Sequence, residues 1–249
     1  MRMEGRSKLG FGILLVAALL ATPALAQMGG QGPADLQQKL AALKQSAAQN
    51  KQRLHRYQWV ETTQLTLKGE PKPAKSNLCS YAPNGQLQKV PIGEQQPQQQ
   101  QPQQGGRRGG RLKERVVEKK TEEMQDYMEQ VKSIISLYVP PDSQRMQRAF
   151  QAHNVSLNST MGTGAAQLVF KNYAQSGDQM TIVFDPAAKK IRTLNVNTYL
   201  SDPNDAITLA VKFASLPDGT SYPAQTVLNA PSKEIQVTTT NANYSKLAQ

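Results

Sequence analysis

The sequence has very few of the residues on which metal centres and disulfide-stapled scaffolds depend. Its 249 residues include one cysteine and two histidines. One cysteine excludes an internal disulfide and any zinc or iron–sulfur site built from several cysteines. Two histidines argue against a histidine-rich metal centre. We therefore expect no metal and no cofactor. Cys79, alone in the chain, is either a buried inert thiol or one half of an intermolecular pair.

Long apolar runs are also absent beyond the N-terminus, so the remaining chain lacks the roughly 20 apolar residues that cross a bilayer. The apolar run at 11–21 follows a basic start and precedes Ala24-Leu25-Ala26. This order is typical of a secretory signal peptide, here residues 1–26. We expect cleavage after Ala26, which leaves a periplasmic or secreted protein without a transmembrane anchor.

Recognisable catalytic motifs are missing as well. The sequence contains no nucleophile elbow, no H-E-x-x-H, no P-loop and no dinucleotide-binding glycine motif. His55 and His153 have no catalytic partner nearby in the sequence, although a hydrolase site assembled around them in space stays an alternative. Asp202, Asn204 and Asp205 are more typical of a turn than of a calcium site. The sequence therefore predicts a protein that is not an enzyme.

Charge is unevenly distributed along a chain with a net charge of +11. Residues 93–111 are rich in Gln, Pro, Gly and Arg and have no large apolar side chain, which predicts a disordered loop. Arg107, Arg108 and Arg111 are the candidates for contact with an anionic partner such as lipid head groups or envelope polysaccharides. Nucleic acid is not expected as the partner of an exported protein, and a solvated loop that aids solubility is the simpler interpretation.

The remaining chain shows one helix at 34–56 and three strands near the N-terminus. The first strand is predicted at 57–67, and Asn84-Gly85 predicts a hairpin turn between the other two. A second helix at 112–138 follows, and then a short third helix that Asp142 or Ser143 would cap. The second helix has apolar residues at heptad spacing, which suits either a self-associating coiled coil or packing on the chain's own sheet. From Val155 onward about six strands alternate with turns, so their pairing is antiparallel with one apolar face. The predicted fold class is α+β. Residues 27–249 form a single domain with a curved, unclosed, half-barrel-like antiparallel sheet of about nine strands and two or three covering helices.

The interior between sheet and helices is either a packed core or a ligand cavity. Methionine packs adaptably and suits surfaces that accept variable apolar ligands, and two methionines lie on the apolar stripe of the second helix. The candidate residues lining a cavity combine these methionines with apolar strand positions. They are Trp59, Leu65, Met124, Met128, Ile207, Leu209, Val211 and Phe213.

Three segments carry a family resemblance. They are Tyr57-Gln58-Trp59-Val60, the hairpin Ile182-Val183-Phe184-Asp185-Pro186 with Ile191-Arg192-Thr193-Leu194, and Leu216-Pro217-Asp218-Gly219-Thr220. In this order, after a signal peptide and a helix, the chain resembles the LolA/LolB-like superfamily of periplasmic lipoprotein carriers. The resemblance implies an unclosed antiparallel barrel with helices over its mouth that binds acyl chains inside. The Gln/Pro/Arg-Gly segment is foreign to that pattern, and no motif transfers an individual ligand-binding residue.

The expected function is therefore that of an exported lipid- or lipoprotein-binding carrier-like protein. The alternative is a non-enzymatic cell-envelope interaction or scaffold protein whose basic loop contacts anionic polymers or lipid head groups.

Overall fold

The computed structural model describes residues 33–93, 110–159 and 164–247. These residues contain three α-helices and eleven β-strands, so the predicted α+β class is confirmed. The predicted signal peptide, residues 1–26, lies outside the described residues. Of the predicted disordered loop at 93–111, positions 94–109 also lie outside them.

The helices begin and end close to their predicted bounds. They are α1 (Pro33–Leu54), α2 (Gly110–Ser136) and α3 (Ser143–Gln151). Two basic residues, Lys51 and Arg53, occupy the last turn of α1, where the helix dipole favours cations. Asp142 caps α3, because its carboxylate accepts a hydrogen bond from the backbone N–H of Arg145 at 2.7 Å.

Eleven strands replace the predicted number of about nine. They are β1 (Tyr57–Leu67), β2 (Glu70–Pro71), β3 (Lys75–Tyr81), β4 (Leu87–Ile92), β5 (Val155–Ser159), β6 (Ala166–Lys171), β7 (Gln179–Asp185), β8 (Lys190–Tyr199), β9 (Ala206–Ser215), β10 (Ser221–Ala230) and β11 (Ile235–Lys246). The two strands that the prediction lacked are β2 and β5. Neither is long enough to show clear alternation, since β2 has two residues and β5 has five.

All strands belong to one antiparallel sheet with the order β4-β3-β1-β11-β10-β9-β8-β7-β6-β5, and β2 pairs with β1. The edge strands β4 and β5 do not pair with each other, so the sheet is unclosed, as predicted. The first strand, β1, pairs with the last, β11. This pairing joins the N-terminal hairpin to the C-terminal meander.

Two neighbouring rows of side chains cross the sheet on its inner face, which is the face toward the helices. The first row stays apolar: Val155, Phe170, Met180, Val196, Leu209, Leu228, Val237 and Leu65. The second row becomes polar at β10: Leu157, Leu168, Ile182, Leu194, Val211, Thr226, Thr239, Thr63 and Lys75. The second row of the inner face therefore changes from apolar at the centre of the sheet to polar toward β1 and β3.

All three helices pack on this face. Leu43 of α1, Val131 of α2 and Met146 of α3 belong to the same buried cluster as the central strands. The apolar stripe of α2 thus packs on the chain's own sheet, which is one of the two arrangements that its heptad spacing allowed. Two tyrosines hold this segment in place. In α2, the Tyr127 hydroxyl lies 3.0 Å from Asp205, and in the turn after the helix the Tyr138 hydroxyl donates to the Asp178 carboxylate at 2.6 Å.

Candidate functional site

An open cleft lies at the margin of the inner face, where β1 and β11 meet α2. Its volume is about 440 Å³, within the range of roughly 300–1,000 Å³ typical of small-molecule sites. Three of its residues are apolar and half-buried. The lining consists of Thr63, Leu65, Lys72, Pro73, Lys75, Met128 and Val237.

The apolar row across the sheet provides the floor of the cleft. Leu65 on β1 lies opposite Val237 on β11, and both side chains are half-buried. The next row contributes Thr63, whose hydroxyl lies 3.5 Å from that of Thr239. The cleft therefore has an apolar floor with a neutral polar strip along one side.

Helix α2 covers this floor through Met128. The preceding residue, Tyr127, is buried, and its hydroxyl contacts both Asp205 and Ser232 at 3.0 and 3.3 Å. The ammonium group of Lys233 lies 5.4 Å from the centre of the Tyr127 ring. These contacts attach the helix to the turns beyond β8 and β10, and so they set the position of the Met128 side chain over the cleft.

Two lysines stand beside the apolar floor. Lys72 follows the short strand β2, and its backbone N–H donates to the carbonyl of Leu65 at 2.7 Å. The side-chain amide of Gln64 donates to the Lys72 carbonyl. Lys75 begins β3 and lies opposite Thr63, so the strand register places it at the end of the polar row. None of the seven lining residues is acidic.

The structure brings two of the eight predicted lining residues to the cleft, namely Leu65 and Met128. Met124 and Phe213 are half-buried and pack against the central cluster. The other strand candidates of β9 lie inside that cluster, where they are at most 3% exposed: Ile207, Leu209 and Val211. A ligand-binding role for the eight residues stays a prediction.

The eighth candidate, Trp59, belongs to a separate aromatic cluster at the other end of β1. Its indole N–H donates to the side-chain oxygen of Asn241 at 3.0 Å, and its ring stacks on Tyr244 at a centroid distance of 5.5 Å. Tyr81 lies at the same distance from Trp59 and also stacks on His55, at 4.5 Å. Burial raises the pKa of Tyr244. This cluster contributes to packing between β3, β1 and β11.

Cys79 lies opposite Trp59 and is fully buried. Burial raises the pKa of its thiol, and the neighbouring charge of Glu61 raises it further. Both effects disfavour the reactive thiolate. The structure thus favours an inert thiol over intermolecular pairing.

The remaining candidate residues of the sequence fall in several places. Arg107 and Arg108 lie outside the described residues, and Arg111 is described only as a backbone position of α2. Their contact with an anionic partner therefore stays a prediction.

Asp202 accepts a hydrogen bond from the backbone N–H of Asn204 at 2.8 Å, as in an Asx turn. Within the described ranges, no three His, Cys, Asp or Glu side chains group closely enough to hold a metal.

Sequence reasoning missed several lining residues. Val237 had a signal, because it alternates with Ile235 on an apolar strand face. Lys72 and Lys75 had none. Their placement follows from the connection between β1 and β3, which contains two prolines and the two-residue strand β2, and strand alternation does not predict the register across such a connection.

Comparison with known proteins yields little similarity. No protein-family model matches the chain, and no curated protein matches it. A crystal structure of a DUF1329 family protein from Desulfovibrio piger matches with 4% identity and a TM-score of 0.40, over 84% of this chain and 92% of that one. A similarity of this degree assigns neither a family nor a function. In the described parts of the chain, no helix has the length and hydrophobicity required to cross a membrane.

Proposed function

We propose that the protein is an exported, non-enzymatic carrier that binds the acyl chain of a lipid or lipoprotein. The observation that carries the proposal is the cleft of about 440 Å³ beside β1, β11 and α2. Its floor and cover are formed by Leu65, Val237 and Met128, which are only half-buried.

The energetics favour an apolar ligand at this place. Each methylene group of an acyl chain that leaves water contributes about 0.8 kcal/mol. The half-buried side chains of Leu65, Val237 and Met128 would lose their remaining contact with water at the same time. Ten methylene groups removed from water would correspond to about 8 kcal/mol, the free energy of a micromolar complex, before the entropic cost of association is subtracted.

The carrier proposal also draws on the signal peptide that the sequence predicts and on the resemblance to the LolA/LolB-like superfamily. The predicted export would bring the chain to the compartment in which, by this resemblance, lipoprotein carriers act. The resemblance supplies the acyl chain as ligand.

Binding of a 16-carbon fatty acid tests the proposal. The full chain is purified without detergent, and bound fatty acid is measured by native mass spectrometry and by displacement of a fluorescent analogue. We expect one fatty acid per protein. Met128→Gln keeps the side-chain length but replaces an apolar contact, and it should weaken binding about five-fold, which corresponds to about 1 kcal/mol.

Ile135→Gln is the matched control. Ile135 lies on the same helix, is also half-buried and, like Met128, packs against the central cluster, but it does not line the cleft. This variant should lose stability without losing affinity. Absence of stoichiometric binding, or an equal loss of affinity in both variants, would contradict the carrier proposal.

A further inference from the structure

We propose that the cleft selects single-chain amphiphiles with an anionic head group, which Lys72 and Lys75 hold at its mouth. This inference rests on the proposed acyl-binding function and adds the chemical class of the ligand. It is carried by the positions of the two lysines beside an apolar floor.

The polar row of the inner face leads to the first lysine. Thr226, Thr239 and Thr63 follow one another across β10, β11 and β1, and Lys75 on β3 comes next. The neighbouring row ends at the same strands with Val237 and Leu65. A ligand whose tail lies on the apolar row therefore has neutral hydroxyl groups beside it and an ammonium group at its outer end.

The second lysine is held in place by its backbone. Lys72 bonds to the carbonyl of Leu65, and its own carbonyl accepts from Gln64. The Lys72 ammonium lies 3.0 Å from the carboxylate of Glu70, whose side chain is 77% exposed. An ion pair in such an exposed position contributes little to stability, so a bound anion can replace Glu70 as the partner of Lys72 at small cost.

Together these features define the head group. None of the lining residues is acidic, and the described residues form no ion pair with Lys75. Lysine ammonium groups act as point charges and donate hydrogen bonds to either a carboxylate or a phosphate. These features assign the head group of the proposed amphiphile, which is a carboxylate or a phosphate monoester.

Four ligands with the same 16-carbon chain test the inference: a carboxylate, a phosphate monoester, an alcohol and a trimethylammonium ion. We expect the full-length protein to bind both anions about five-fold more tightly than the alcohol at low salt, and the cation least tightly. The preference should decrease as ionic strength rises. The ratio between carboxylate and phosphate tells a fatty acid from a phospholipid-derived source.

The double variant Lys72→Gln/Lys75→Gln should bind all four ligands with the affinity that the wild type has for the alcohol. Lys212→Gln removes the same type of charge from an exposed position on the opposite face of the sheet and should keep the full preference.

Equal binding of all head groups by the wild type, or an unchanged preference in the double variant, overturns the inference while the acyl-binding function stands. Failure of all four ligands to bind overturns both.

Discussion

The inner face of the sheet is closed at its centre and open at its margin. Val196 and Leu209 are at most 3% exposed at the centre of the apolar row, whereas Val237 and Leu65 at the end of the same row are half-buried. At the centre, residues from all three helices join the packed cluster. At the margin, Met128 is the helical residue that lines the cleft.

The difference between centre and margin shows that facing the helices and being densely packed are separate properties of a strand side chain. Alternation decides which side chains face the helices. Dense packing requires in addition that helical side chains fill the space above each strand. On this sheet the central strands meet both conditions, while near Leu65 the second condition is met only in part, by Met128.

Leu209→Asp should have the largest effect, because Leu209 is 3% exposed in the centre of the apolar row. A carboxylate there would be buried without a partner, and we expect the variant to lose more than about 4 kcal/mol and to unfold. Circular dichroism and urea unfolding measure this loss. Asn195→Asp adds the same charge at an exposed position of β8 and should change stability by less than about 0.5 kcal/mol. A cooperatively folded Leu209→Asp protein would show that the centre is not packed.

Valine-to-phenylalanine changes at two positions should differ in the property that they change: stability at the centre and ligand affinity at the margin. Val211 is 2% exposed in the central cluster, so Val211→Phe should cost about 1–3 kcal/mol through overpacking. Val237→Phe places its ring in the cleft and should cost less than about 1 kcal/mol, because the ring fills open space. The same ring should weaken fatty-acid binding about ten-fold or more, since it occupies the volume in which the chain would lie.

Thermal unfolding and fatty-acid titration of both variants provide the measurement. If Val237→Phe costs as much stability as Val211→Phe, the margin is as tightly packed as the centre and the comparison fails. Unchanged binding by Val237→Phe would place the ligand elsewhere.

Asp218→Asn should have the smallest effect and tests whether the two ends of β1 are independent. The hydroxyl of Tyr57 donates to the Asp218 carboxylate at 2.7 Å, about 26 Å along the strand from Leu65 at ~3.3 Å per residue. This bond, and a second from the backbone N–H of Thr220, lower the pKa of Asp218 to about 2.

The sign of the pH effect follows from that shift. The pKa of an unfolded aspartate is about 3.9, so the carboxylate stabilises the fold above pH 4, and this contribution disappears as the pH falls toward 2. The effect is small because Asp218 is exposed. Urea midpoints between pH 2 and pH 5 should depend less on pH in Asp218→Asn than in the wild type. Fatty-acid affinity at pH 7 should stay unchanged, and a change would mean that the two ends are coupled.

Local signals in the sequence predicted much of the fold. Strand β1 begins and ends at its predicted residues, Tyr57 and Leu67, because its alternation is long and a helix and a proline-containing segment flank it. The Asn84-Gly85 dipeptide predicted a hairpin, and Gly85 adopts the positive φ of 80° that such a turn uses. Asp142 was one of the two predicted caps of α3. Each of these features depends on a few consecutive residues.

The site was less predictable. Leu65 and Met128 were among the candidates, but Trp59 and the β9 residues were equally plausible by pattern. Trp59 finds its hydrogen-bond partner, Asn241, 182 residues away. No local signal identifies such a partner.

By itself, the sequence determined where the helices and the longer strands form and which of their side chains lie on the apolar face. These properties follow from periodicity and turn chemistry, which act over a few residues. Only the tertiary structure decided that this face is packed at its centre and open beside Leu65, and that two lysines stand at the opening. The reason is that strand register and helix coverage depend on contacts between residues that are distant in the chain, such as β1 with β11.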